Sequence, residues 1–292
     1  MHKTDQPPEG RYIVPALAQG LLVLGLFSKA TPVLAAPDIA QRLDLPRTTV
    51  FRLLYTLHAM GFVQRDEAGR LYKLGPANLS GGFAYLASID IVEAAQPILQ
   101  RLRDETGWSA HMAVRDGREV VYVARCAART TVASNVQIGT RFPVHATVLG
   151  RMTICEFGDE DLAGLFGSAP LPAFTRQTPT TLAALRRQLD GDRQRGYAVS
   201  QSFFEPGVSA VAAPVRDGLG RILAAINVTS VDAYVDVRDM HGAIKDAVLA
   251  ASAEITKWVL HGTPERDPAP AATGGKRSGP RRAGSQSASG KV

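Results

Sequence analysis

Residues 36–60 constrain this chain more than any other stretch. Ala36-Pro37-Asp38-Ile39-Ala40-Gln41-Arg42-Leu43 reads as a short helix with Ile39, Ala40 and Leu43 turned inward. Asp44-Leu45-Pro46 breaks it, and Pro46 starts a third helix that runs through Met60 and ends at Gly61. At about 100° per residue, Val50, Leu53, Leu54 and Leu57 of that helix cluster on one side, and Thr48, Arg52 and Tyr55 on the other. Upstream, Pro15 suits the first turn of a helix reaching Ser28, with Leu17, Leu21, Leu24 and Phe27 as its buried stripe. Downstream, Phe62-Val63-Gln64-Arg65 alternates as a strand, Asp66–Gly69 turns, and Leu71-Tyr72-Lys73-Leu74 returns. Three helices and a hairpin in this order predict a winged helix-turn-helix over residues 12–75.

Charge agrees with that reading. Residues 11–75 hold eight Lys/Arg against four Asp/Glu, and residues 262–292 hold six against two. Residues 76–261 are nearly balanced, with eighteen against nineteen. A basic module on a neutral body points to a polyanion partner at that end. In a helix-turn-helix the third helix lies in the major groove of double-stranded DNA. Arg47, Thr48 and Thr49 then occupy the first turn, where side chains and free backbone N–H groups meet phosphates and nearby bases. Arg52 reaches a guanine edge or a phosphate, Tyr55 shares its face, and Arg65, Arg70 and Lys73 belong to the wing.

The remainder reads as α+β. Residues 76–107 are a helical linker with breaks expected at Gly81-Gly82 and near Pro97. Strands follow at Trp108–Val114 and Val120–Arg125, flanking a turn at Asp116-Gly117, and a third is expected within Thr131–Ile138. Helices are expected at Thr147–Glu156 and Thr181–Arg195, and strands at Tyr197–Ser202, Val208–Val215 and Arg221–Thr229. A last helix spans about Val237–Leu260, closing a second domain of residues 108–261. From residue 262 onward Pro, Gly, Ser, Ala, Lys and Arg dominate, the composition of a disordered basic tail.

These motifs carry a resemblance. Residues 36–43, Leu45-Pro46-Arg47-Thr48-Thr49-Val50-Phe51-Arg52-Leu53-Leu54, Gly61-Phe62-Val63 and Tyr72-Lys73-Leu74-Gly75 resemble the IclR family of bacterial regulators. So do Phe142-Pro143-Val144-His145-Ala146-Thr147-Val148-Leu149-Gly150-Arg151, Arg195-Gly196-Tyr197-Ala198-Val199 and residues 205–215, and the likeness covers about residues 12–260. It implies a winged helix-turn-helix, a linker helix and a C-terminal GAF-like effector-binding domain, assembled as a homodimer or homotetramer. It implies operator DNA and a small organic or aromatic acid of a catabolic pathway as partners, with no cofactor, no metal and no membrane. By position, the effector would be lined by Phe142, Val148, Leu149, Ser200, Val208, Ala210, Asn227 and Thr229. Family members with known small-acid ligands tend to carry Asp at position 200, Cys at 210, and Ser at 227 and 229, so this pocket is shaped differently. Arg141 and Arg151 lie close by in sequence and could hold a carboxylate.

Two other classes stay open at this point. Cys126, Cys155 and His145 would be the materials of a GAF-like thiol enzyme. Against that, no Cys–His pairing, HExxH or glycine-rich phosphate loop is visible. A sensor or interaction module could use its helix-turn-helix on protein instead of DNA. The apolar run Ile13–Phe27 is short for a membrane span and lacks a clean cationic flank, so a secretory signal is disfavoured. Two cysteines without a CxxC suit a reduced, cytoplasmic protein held on the nucleoid.

Overall fold

A computed structural model of the chain describes residues 12–129, 136–168, 170–231 and 235–261. The basic tail at 262–292 and most of the strand expected within Thr131–Ile138 lie outside the described residues.

The N-terminal elements are α1 (Pro15–Gly25), β1 (Val33–Ala35), α2 (Ala36–Leu43), α3 (Arg47–Ala59), β2 (Val63–Arg65) and β3 (Leu71–Leu74). The α2–α3 turn is tight because Asp44 adopts a left-handed conformation (φ 51°) and Leu45 N donates to Ala40 O, which closes α2. Ile39, Ala40, Val50 and Leu54 meet Val23, Phe27, Leu34, Val63 and Tyr72 in one core. The hairpin gains a third strand, giving the order β1-β3-β2. Val33–Ala35 is too short to show a period of two, so its pairing with β3 had no sequence signal.

The buried stripe of α1 differs from expectation. Gly20 and Val23 go inward, whereas Leu17 and Leu21 are 63% and 61% exposed. Helix α1 is apolar on nearly every side, so periodicity alone does not select the face that meets its own core. The linker region also differs. Helix α4 (Ala77–Ala87) runs straight through Gly81-Gly82, α5 (Asp90–Thr106) contains Pro97 within it, and the interruption falls at Ser88-Ile89.

The C-terminal part is a six-stranded antiparallel sheet. Its strands are β4 (Ser109–Asp116), β5 (Glu119–Cys126), β6 (Arg141–Pro143), β7 (Ala198–Gln201), β8 (Ser209–Arg216) and β9 (Ile222–Ser230), in the order β6-β5-β4-β9-β8-β7. Alternation assigns the two faces. Ala224, Ile226 and Val228 of β9 and Val211, Ala213 and Val215 of β8 pack with α5, α9 (Val237–His241) and α10 (Ala243–His261). Ala225 of β9 and Ala210 and Ala212 of β8 face α6 (Val148–Ile154), α7 (Asp159–Phe166) and α8 (Leu182–Arg195). A register shift in the β4–β5 pairing at Met112/Ala113 reverses the parity of β5. Val120 and Tyr122 therefore join the α6 face, while Ala124 and Cys126 join the α5 face.

Helix α6 is held from beneath by a buried charge. Arg151 Nε donates to Asp192 Oδ2 of α8 at 2.7 Å with both side chains fully buried, and Nη2 donates to Val199 O of β7 at 2.9 Å. Asp192→Ala leaves the Arg151 guanidinium buried without its counter-charge. We expect it to lower unfolding stability by about 3–5 kcal/mol, whereas Arg151→Met with Asp192→Leu should lose far less. Chemical denaturation of the three proteins checks this.

Candidate functional site

Helix α3 offers the first candidate surface. Val50 and Leu54 are buried and Leu53 and Leu57 half-buried, so Arg47, Thr48, Phe51, Arg52 and Tyr55 are left exposed on the outer side, and Thr49 is half-buried. No side chain caps the first turn, whose N–H groups are available to a phosphate. In the wing, Arg70 and Lys73 are exposed. Arg65 is exposed but engaged: its Nε donates to Gly69 O at 2.7 Å and its guanidinium lies 5.9 Å from the Tyr72 ring centroid. Arg65 thus braces the wing turn. Phe51 was not singled out in the sequence because its neighbours on the helix already accounted for the inward face.

The second candidate is a cavity of about 390 Å³ between the sheet and α6. Of the residues expected around an effector, Phe142, Val148, Ser200, Val208, Ala210, Asn227 and Thr229 line it together. Leu149 does not: it is fully buried in the core beneath α6. One residue along a helix is a rotation of about 100°, so Val148 and its successor cannot both face the cavity squarely. Sequence reasoning missed Tyr122, Thr140, Thr147, Phe204 and Glu205, which also line it. Tyr122 was hidden by the parity reversal in β5. Phe204 and Glu205 sit in the β7–β8 connection, where no periodicity exists to read.

Aromatic rings wall the cavity. Tyr122 and Phe142 meet edge to face at 5.5 Å, and Phe142 and Phe204 lie 4.7 Å apart. Phe174 stacks behind Phe204 at 4.7 Å. The hydroxyls of Thr175 and Thr178 donate to Phe203 O and pin that loop.

The sheet side is polar in an unusual way. His111, fully buried on β4, faces Asn227 across the ladder, with Nδ1 3.1 Å from Asn227 Oδ1. A carbonyl oxygen only accepts, so Nδ1 carries the proton and Asn227 keeps its NH2 for the cavity. Burial holds the imidazole neutral by pulling its pKa down to about 4, against the raising effect of the Asn227 hydrogen bond. Thr229 Oγ1 is buried without a hydrogen-bond partner. Burial likewise holds the Tyr122 phenol protonated, well above its usual range. Among the described residues the cavity therefore offers neutral donors from Asn227, Thr229, Ser200 and Tyr122, one carboxylate at Glu205, and no Lys or Arg.

The two arginines expected to hold a carboxylate stand elsewhere. Arg151 is committed to Asp192, and Arg141 pairs with Asp116 and Glu119 on the surface. Proximity in sequence put them near the cavity, and local ion pairs turned them away from it. The thiols are also unsuited to nucleophilic work. Both are buried, burial pushes Cys155 up to about 11, and its Sγ donates to Met152 O. His145 Nε2 donates to Pro172 O and packs on Phe166 and Phe174.

His111 has a stability consequence. Its pKa is about 4 folded against the ordinary 6.5, so between these values the unfolded chain binds the extra proton. Stability present above pH 6.5 should therefore fall as pH drops toward 4, by about 3 kcal/mol from this group. Urea melts across that window should show the decline, and His111→Gln should flatten it.

The comparisons bear on both surfaces. The family model described as the IclR helix-turn-helix domain matches residues 16–67, and the one described as bacterial transcriptional regulator IclR C-terminal matches residues 83–257. The Pca regulon regulatory protein of Pseudomonas putida is 33% identical over 244 residues, covering 82% of each chain. The crystal structure of an IclR transcriptional regulator from Alicyclobacillus acidocaldarius superposes with a TM-score of 0.75 at 27% identity, covering 85% of this chain and all of that one. A homologue from Microbacterium hydrocarbonoxydans, in complex with 4-hydroxybenzoate, shares the fold at a TM-score of 0.73 and 24% identity, over 84% of this chain and 98% of that one. The curated relatives are helix-turn-helix regulators and not enzymes. With both domains matched in order and a relative 33% identical over 82% of its length, the chain belongs to the IclR family of bacterial transcriptional regulators.

Proposed function

We propose that residues 12–75 bind operator DNA through α3 and the wing, that residues 76–107 link the two parts, and that residues 108–261 hold a small organic or aromatic acid in the α6 cavity. The observation that carries this is the cavity itself: aromatic walls around Asn227, Thr229 and Ser200, in the same chain as an exposed basic recognition helix. Neutral donors suit a ligand that brings hydrogen-bond acceptors on a flat apolar body. The cavity has room for a single-ring acid, and a relative of the same fold holds 4-hydroxybenzoate. Arg47, Thr48, Thr49, Arg52, Tyr55, Arg70 and Lys73 supply the DNA contacts, with Arg65 supporting the wing.

Helices α1 and α4 support a second copy of the chain as partner. Leu17, Leu21 and Leu22 of α1 and Leu79, Phe83 and Tyr85 of α4 are all exposed, and α4 buries none of its residues. So much bare apolar surface on one helix of the DNA-binding part and one of the adjoining linker suits a homodimer, in which two α3 helices read two half-sites. Paired dimers would make the homotetramer, and such an assembly would work in the cytoplasm on the nucleoid. No described helix is long and apolar enough to cross a membrane.

Three measurements test these readings. Arg52→Ala should weaken a footprinted operator by about 1–3 kcal/mol, and unchanged binding would remove α3 from the groove. Screening organic acids by thermal shift should give a stabilising ligand, and Asn227→Ala with Thr229→Val should abolish that shift while leaving DNA binding intact. Leu21→Glu with Phe83→Glu should yield monomers in sedimentation velocity, with operator affinity lost alongside.

A further inference from the structure

The exposed stripe of α3 is not merely basic. Thr48, Phe51, Arg52 and Tyr55 recur three and four residues apart, so they stand on one side of the helix. Phe51 is 55% exposed and Tyr55 68% exposed. The core of this domain is already filled by Val50 and Leu54 from the same helix. Helix α3 packs against α1, α2 and β2, and they leave more than half of Phe51 uncovered. Much of its apolar surface is therefore left to a partner outside this domain.

The major groove has few apolar features to meet such a ring. Guanine, cytosine and adenine present acceptors and amino donors there, and thymine adds its C5-methyl group. A phenyl ring gains from the methyl and pairs with no hydrogen-bonding edge. We infer that Phe51 is a specificity-determining residue that packs on the 5-methyl group of a thymine in each half-site, beside the base or phosphate taken by Arg52. The inference rests on the DNA contact of α3 proposed above. Arg52 supplies the charge-assisted contact, and Phe51 turns the adjacent position into a test for a single methyl group. Tyr55 lies one turn beyond Phe51 on the same stripe, where its hydroxyl can reach the backbone.

The test removes that methyl from the DNA and leaves the protein intact. Full-length protein selects its site from a pool of random-sequence duplexes, and each thymine of the selected half-site is then replaced by deoxyuridine. Losing one buried methyl should weaken wild-type binding about fourfold at one thymine per half-site, and more than tenfold when both half-sites are changed. Phe51→Ala should bind the thymine operator with a similar loss and be indifferent to the replacement, with an unchanged melting temperature. Selected half-sites without thymine would overturn the inference. So would wild-type indifference to every replacement, or a penalty that persists undiminished in Phe51→Ala. A Phe51→Ala protein that changes its sedimentation and keeps its thymine preference would place the ring against protein, which also overturns it. Arg52→Ala separates the two levels of failure. If both variants bind as wild type, α3 is not in the groove and the proposed DNA contact fails. If only Arg52→Ala weakens binding, α3 is in the groove and the thymine contact alone is wrong.

Discussion

The C-terminal part of the molecule is organised around one buried guanidinium. Arg151 has no exposed surface, yet it gathers Asp192 of α8, the Val199 carbonyl of β7 and the face of Phe203, whose ring centroid is 4.9 Å from its Cζ. Asp192 spends its other oxygen on Arg195 at 2.6 Å. Burying two charges is costly, and an apolar pair of equal volume is often as stable or more so. What the pair adds is exclusiveness. Sliding α6 along the sheet, or rotating α8, would strip a buried charge of its partner, which disfavours other positions of the two helices. Packing reinforces this. Gly150 lies so close to the Val144 backbone that a Cβ there would sit 2.3 Å from its carbonyl oxygen.

Those fixed positions are what give the cavity a shape. Thr147 and Val148 line it from the start of α6, Ser200 from β7, and Phe204 and Glu205 from the loop that follows Phe203. All three segments adjoin residues in contact with Arg151. The fourth wall, Asn227 and Thr229, stands on β9 near the middle of the sheet. Arg151, close to the cavity-lining segment in sequence, thus shapes the cavity indirectly, by holding three of its walls. The described lining presents neutral donors and the Glu205 carboxylate. In that setting discrimination comes from hydrogen bonds left unmade: the buried Thr229 hydroxyl has no partner of its own, so an occupant that supplies one is favoured over an analogue that does not.

Much of this was legible in the residues. The helix, break, helix and hairpin order of 15–74 is written in two prolines, a glycine and two amphipathic periods. Asn227 and Thr229 share a face because strands alternate. The failures have physical reasons. Helix α1 is apolar on more faces than its own core can cover, so its pattern does not single out the inward face, and Leu17 and Leu21 stand exposed. Tyr122 was lost to a one-residue shift in the β4–β5 ladder, which local alternation cannot register. His111 read as an ordinary strand residue, because its partner lies 116 positions away. Charges were the least legible of all. Arg141 and Arg151 flank the cavity-lining segment in sequence, yet ion pairs with Asp116, Glu119 and Asp192 decide where their heads go.

The path between cavity and wing is short when traced through contacts. Tyr122 lines the α6 cavity and also a second, largely apolar groove formed by α4 with Val121, Val123 and Ile138. Leu79, Phe83 and Leu86 of α4 form the other side of that groove. At the start of the same helix, Asn78 Nδ2 donates to Phe62 O at 2.6 Å and to Gly75 O at 2.8 Å, so α4 is bonded to both ends of the wing hairpin. Gly75 permits this closeness, since a Cβ there would stand 2.1 Å from Gly61 O. Tyr122 thus touches both the cavity and the surface on which α4 rests, and α4 is tied by its first turn to the hairpin that flanks α3. Tyr122 and Asn78 are not alone along this path: Val121, Val123 and Ile138 back α4 at one end, and at the other Ala77 N donates to Gly61 O beside the Asn78 side-chain bonds.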